Sequence, residues 1–246
     1  MEPKDVVTLI ISSTALILSL ISTVLTLRSK KYEVQRTIRD QVTELIGELI
    51  AIETERRKLA FDAGANKDEL YFQTMSILNQ KTSSLVRQAV YLINQEPLLI
   101  TDIEYGTVAQ SLTSAGDLPL ADEYWRRAIN ASPSDYYKVL NRRGYAHFLF
   151  TQGRYEAGRK QFQEAVTVLD DTTDFNKLTN GYTYQGWMVS EAGVRQYDEA
   201  KRWYERSKAT YESIANPAMK KDPLVSLEQA RKRFLPTAPT LQQLDS

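Results

Sequence analysis

The residues that could do covalent chemistry are few. No cysteine occurs in the 246 residues, so there is no thiolate nucleophile, no disulfide framework and no cysteine zinc site. His147 is the only histidine. A serine, histidine and aspartate triad would have to be built on it, and no nucleophile elbow accompanies it. A glycine-rich phosphate loop, paired histidines on a helix and a dinucleotide fingerprint are all missing. The adjacent acids Asp170 and Asp171 read as a helix-start signal rather than a catalytic pair. These absences predict a protein that is not an enzyme and holds no cofactor and no metal. What remains is binding. Arg143, His147 and Phe150 step by four and three, which puts a cation, a polar ring and an aromatic ring on one helix face. Such a face could grip a peptide with an acidic or aromatic feature. The competing reading buries Phe150 in the core and makes Arg143 a surface ion-pair partner.

Charge narrows the partners. Lysine plus arginine and aspartate plus glutamate both number 31, so no global field favours nucleic acid, and none is expected as a partner. The apolar and charged fractions, 42% and 25%, are those of an ordinary globular chain.

Residues 6–27, "VVTLIISSTALILSLISTVLTL", carry no charge, proline or glycine. At ~1.5 Å per residue they would reach ~33 Å, which predicts a transmembrane helix. A cleaved signal peptide competes with that reading, but the mixed start and the basic exit at Arg28, Lys30 and Lys31 argue for an anchor. The same basic flank predicts a single-pass membrane protein with its N-terminus outside and its C-terminal domain cytoplasmic. Thr8, Ser12, Ala15, Ser19, Ser22 and Thr26 form one stripe of small and hydroxylated residues. It suits either close helix association, including a homo-oligomer, or back-bonding to the helix's own carbonyls. Beyond it, Ile38, Val42, Leu45, Leu49 and Ile52 keep a helical period, and Asn66 with Glu69 reads as a capping box for the next helix. Residues 32–96 therefore form a helical hairpin, or a coiled coil with a second copy.

From residue 102 a pattern repeats. Ala121, Trp125, Ala128 and Pro133 fall at offsets of zero, four, seven and twelve. Gly158, Phe162 and Ala165 match the first three of these, as do Ala200, Tyr204 and Ser207. A turn residue precedes each run, and a helix-length segment stands before each: 102–115, 135–152 and 174–193. Two antiparallel helices pack closely only where one presents a small residue and the other fills the gap with an aromatic. This arrangement resembles the tetratricopeptide repeat. In the preceding helices the resemblance aligns Tyr105, Val108, Ala109 and Leu112, then Tyr145, Ala146 and Leu149. In the third repeat it aligns Tyr182, Gly186 and Val189, with an inter-helix turn about two residues longer.

The resemblance implies an all-α chain with four parts: an N-terminal segment and transmembrane helix over 1–31, the hairpin over 32–96, an α-solenoid of about three repeats over 97–234 and a loose tail over 235–246. Residues 222–234 would be the final solvating helix. It also implies that the first helix of each pair lines a concave groove, with Gln110, Arg143, His147, Phe150, Thr183 and Trp187 facing a protein or peptide partner. The function expected is a membrane-anchored adaptor. The alternative is an oligomeric membrane component with the repeats as sensor; an enzyme of unrecognised type has no residue to support it.

Overall fold

The computed structural model describes the backbone of residues 3–64 and 67–236, with side chains from residue 19 onward. The described residues form nine α-helices and one short 3-10 turn, Pro97–Leu99. The helices are α1 Pro3–Ala63, α2 Glu69–Gln95, α3 Asp102–Ala115, α4 Leu118–Ala131, α5 Asp135–Thr151, α6 Tyr155–Val168, α7 Asp174–Gly193, α8 Tyr197–Glu212 and α9 Pro217–Phe234.

Among the described residues, no helix is long and apolar enough to cross a membrane. The expected span over 6–27, and the single-pass placement drawn from it, are corrected on that finding. The described side chains of this segment, residues 19–27, are followed at once by Arg28 in an unbroken helix. Of the small-residue stripe, Thr8, Ser12 and Ala15 lie outside the described side chains. Thr26 donates its hydroxyl to the Ser22 carbonyl and Thr23 does the same to Ser19, the back-bonding alternative.

Past Thr37 the apolar period of α1 is used for packing. Ile38, Val42, Leu45, Ile46 and Leu49 join Val86, Ala89 and Ile93 of α2 in one core with Tyr105, Val108 and Leu112 of α3. Residues 32–96 are thus a hairpin laid against the repeats, and Arg39 ties it down by reaching the Leu99 carbonyl and the nearly buried Glu104 carboxylate, 2.5 Å away. The N-cap of α2 is Asp68, whose side chain accepts from the Tyr71 N–H; the cap expected at Asn66 falls outside the described residues. Glu104 and Thr101 form a capping box that opens α3.

Three helix pairs follow, α3/α4, α5/α6 and α7/α8, all built on the same contact. Ala121, Trp125 and Ala128, then Gly158, Phe162 and Ala165, then Ala200, Tyr204 and Ser207 are all buried. The small residues let rings in. A Cβ on Gly144 would meet the Trp125 ring at 2.5 Å, and one on Gly158 would meet Phe150 at 2.5 Å. Each pair turns through a left-handed residue five positions before its small residue: Gly116 (φ 83), Gly153 (φ 71) and Arg195 (φ 62). Tyr124 is fully buried. Its hydroxyl donates to Asn94, and burial pushes its pKa up to about 12.

The third repeat keeps the ordinary register and has no longer turn between its helices. Tyr105, Val108, Ala109 and Leu112 stand sixteen, thirteen, twelve and nine residues before Ala121. The residues at those distances before Ala200 are Tyr184, Trp187, Met188 and Glu191, and all four are buried. Tyr182, which the sequence reading placed inside, is 40% exposed. The extra length of this repeat lies instead at the start of α7 and the connector before it.

Helix α9 starts five residues earlier than expected, capped by Asn216, and runs through Pro223. Its Leu227 is fully buried against the α7/α8 core, so the helix closes that end of the stack. Odd-numbered helices pack on one another in series, α1 on α3, α3 on α5 and α5 on α7, whereas no comparable packing joins α2 to α4, α4 to α6 or α6 to α8. The odd-numbered helices are therefore the layer in which successive helices touch. Residues 237–246, the expected loose tail, lie outside the described residues.

Candidate functional site

The six residues expected to line the groove divide into two groups. Phe150, Thr183 and Trp187 are buried. Phe150 and Trp187 belong with Ala146 and Phe162 to the core between the second and third repeats, where Trp187 stacks on Phe162 and, at 3.7 Å, on Trp203. The Thr183 hydroxyl donates to the Thr179 carbonyl of its own helix. The physical reason is register: Trp187 stands where Val108 and Tyr145 stand in the earlier repeats, on the side of the helix that meets its partner. Gln110 is exposed, and Arg143 and His147 are half-buried.

Gln110 borders a cleft of about 390 Å³ between α1, α3 and α5. Ile50, Ile103, Leu140 and Trp125 supply its apolar wall, and Glu53, Arg57 and Asn141 its polar edge. The cleft stays open because α3 offers Gly106, where a Cβ would lie 3.3 Å from the Asn141 amide oxygen. Asn141 is itself fixed, donating to the buried Asp102 carboxylate at 2.8 Å and to Ser132 at 2.9 Å.

One helical turn along α5 from Leu140 stands Arg143, half-buried. Burial pushes its pKa down, against the opposing pull of Tyr211, Tyr136 and Tyr182. His147, one turn further, holds Ser190 through Nδ1 at 2.8 Å and sets its ring edge-on to Phe162. Burial first, then the Arg143 charge, lowers its pKa to about 4, so it is neutral at pH 7. Helix α7 can come this close because residue 186 is glycine: a Cβ there would lie 2.9 Å from His147 Nε2 and 3.6 Å from Arg143 Cδ. The residues that sequence reasoning missed are Leu140, Tyr136 and Tyr182. The register of the first two repeats, carried unchanged into the third, would have turned Tyr182 outward.

Asp170 and Asp171 behave as a helix-start pair, accepting from Thr172 and Asn176 and from Asn180. Among the described residues, no group of three or more histidine, aspartate or glutamate side chains gathers as a metal site. The site therefore consists of an apolar cleft between α1, α3 and α5 with a cation, Arg143, and a neutral imidazole, His147, further along α5.

No family model matches the chain, and no curated protein matches it. The chain is similar to the crystal structure of BtubC (BKLC) from P. vanneervenii, with 18% identity and a TM-score of 0.43 over 78% of this chain and 83% of that one. A likeness this distant carries no function across. The all-helical chain with its repeated helix pairs is compatible with a helical repeat solenoid.

Proposed function

We propose that the protein is a scaffold of the tetratricopeptide-repeat kind that binds a protein or peptide segment along the concave layer of α1, α3, α5 and α7. The observation that carries this reading is the open cleft between α1, α3 and α5, continued along α5 by Arg143 and His147. Concave sites lined by apolar walls with a few fixed polar groups are where ligands of this size are held. The helix pairs behind the cleft are close-packed through the Gly144–Trp125 and Gly158–Phe150 contacts, so the face is presented on a rigid frame.

The test is photocrosslinking of peptides selected from a random dodecapeptide library. A photoreactive residue at position 110 or 147 should capture selected peptides, while one at position 160 or 202 on even-numbered helices should not. Equal capture from both layers would show that the concave face is not the binding surface.

A further inference from the structure

Helix α1 outruns its partner. It is 61 residues long, whereas α2 has 27, and α2 ends where Gln35 donates its amide to the Glu96 carboxylate at 3.1 Å. Residues 19–34 extend ~24 Å beyond that point and are exposed without exception. A helical stretch of this length is marginal in water unless it covers an apolar face against something else. Such a face is present: Leu20, Leu27 and Val34 stand seven residues apart, 58%, 63% and 56% exposed, and lead into Ile38 and Leu45 of the α1/α2 core. Beside it stand Arg28, Lys30 and Lys31, which form no ion pair with any described residue, unlike Arg36 and Arg39.

The same helix carries a seat for such a stretch. Alongside α2 it forms a groove of about 580 Å³, floored by Leu45, Leu85, Tyr91 and Leu92, with Glu44 and Glu48 on the α1 rim. Among the described residues the ion pairs of α1 use Asp40, Glu53 and Glu104, and neither Glu44 nor Glu48.

We propose that residues 19–34 of one copy lie antiparallel in the α1/α2 groove of a second copy, making a symmetric dimer. Overhang and groove are consecutive on one helix, so a single two-fold rotation fills both grooves at once and leaves no further site open. Setting Lys30 opposite Glu44 of the partner copy places the axis beside residue 37, close to where α2 ends. The cations of each overhang then meet the acidic rim of the other copy, which selects this orientation. A parallel pair would instead set Arg28, Lys30 and Lys31 against their own copies, a like-charge arrangement that opposes association. An anionic lipid surface would meet the cations but leave the acid-rimmed groove empty. Only a second copy answers both features.

The chain has no cysteine, so introduced thiols report cleanly. Full-length Lys30→Cys and Glu44→Cys chains, mixed and oxidised, should join through a disulfide between positions 30 and 44. Neither variant alone should join to itself, because like positions lie ~21 Å apart in the antiparallel pair, far beyond disulfide reach. The unaltered chain should sediment as a dimer. Lys30→Glu with Lys31→Glu should weaken dimerisation at least tenfold, and adding Glu44→Lys and Glu48→Lys to that chain should restore it. A chain that stays monomeric, a dimer indifferent to the charge reversal, a loss that the second reversal does not restore, or self-joining of Lys30→Cys overturns the proposal. Binding to phosphatidylserine vesicles as a monomer, in place of dimerisation, also overturns it.

Discussion

Two arginines approach α7 from neighbouring helices, and they meet opposite surroundings. Arg159, on α6, donates from Nε and Nη2 to the two oxygens of Glu191, both at 2.7 Å, and Glu191 is fully buried and also accepts from the Trp187 indole at 3.0 Å. Hydrogen bonding to Glu191 is the main reason the Arg159 pKa rises. Arg143, on α5, approaches the same helix beside Gly186, where a Cβ would lie 3.6 Å from its Cδ, and has no ion-pair partner among the described residues. The difference separates two uses of one residue type. Arg159 completes a buried polar group that the fold cannot leave unpaired, whereas Arg143 has no acceptor among the described residues.

The largest effect should come from breaking the closed side. Glu191→Ala leaves Arg159 and the Trp187 indole without their acceptor, and loss of one member of a buried pair typically costs ~3 kcal/mol or more. Urea unfolding should show that loss, and a change under ~1 kcal/mol would mean the pair is not a structural joint.

Two glycines of α7 sharpen the contrast. A Cβ on Gly181 would meet the fully buried Tyr211 ring at 2.3 Å, and that ring has nowhere to go. Gly181→Ala should therefore cost ~1–3 kcal/mol by overpacking. At Gly186 the obstacle is the tip of His147, which can swing toward the open face, so Gly186→Ala should cost less than Gly181→Ala.

A smaller effect should appear with pH. The His147 pKa in the fold, about 4, lies below its ordinary 6.5. Between those values the unfolded chain binds more protons, so this contribution to stability is whole above 6.5 and is lost as pH falls toward 4. The wild type should therefore lose melting temperature over that window more steeply than His147→Gln. Parallel profiles would show that the imidazole is not held neutral by its surroundings.

Much of the frame was legible in the sequence because small-aromatic-small spacing has few structural solutions. Ala121, Trp125 and Ala128 could be placed inside before any coordinates. The site was only partly legible. Arg143 and His147 were found because their spacing puts them on one face, but Trp187 and Phe150 were assigned to the groove although packing claims them. Glycine at 186 invited the wrong alignment of the third repeat. It resembles the small position of the earlier pairs, yet its smallness serves the approach of α7 to α5 rather than to α8. The cleft itself could not be read locally, since it needs α1, more than forty residues upstream, to form its wall. The apolar segment over 6–27 showed the opposite failure: composition alone suggested a membrane span that no described helix supports.

The most direct test of the contrast between the two arginines is urea unfolding of Arg143→Gln and Arg159→Gln beside the wild type. Arg159→Gln should lose ~2–3 kcal/mol, because it leaves a buried carboxylate short of its partner. Arg143→Gln should stay within ~0.5 kcal/mol, as expected where a side chain has no partner to lose. Equal losses in the two variants would contradict the claim that one arginine holds the fold and the other does not.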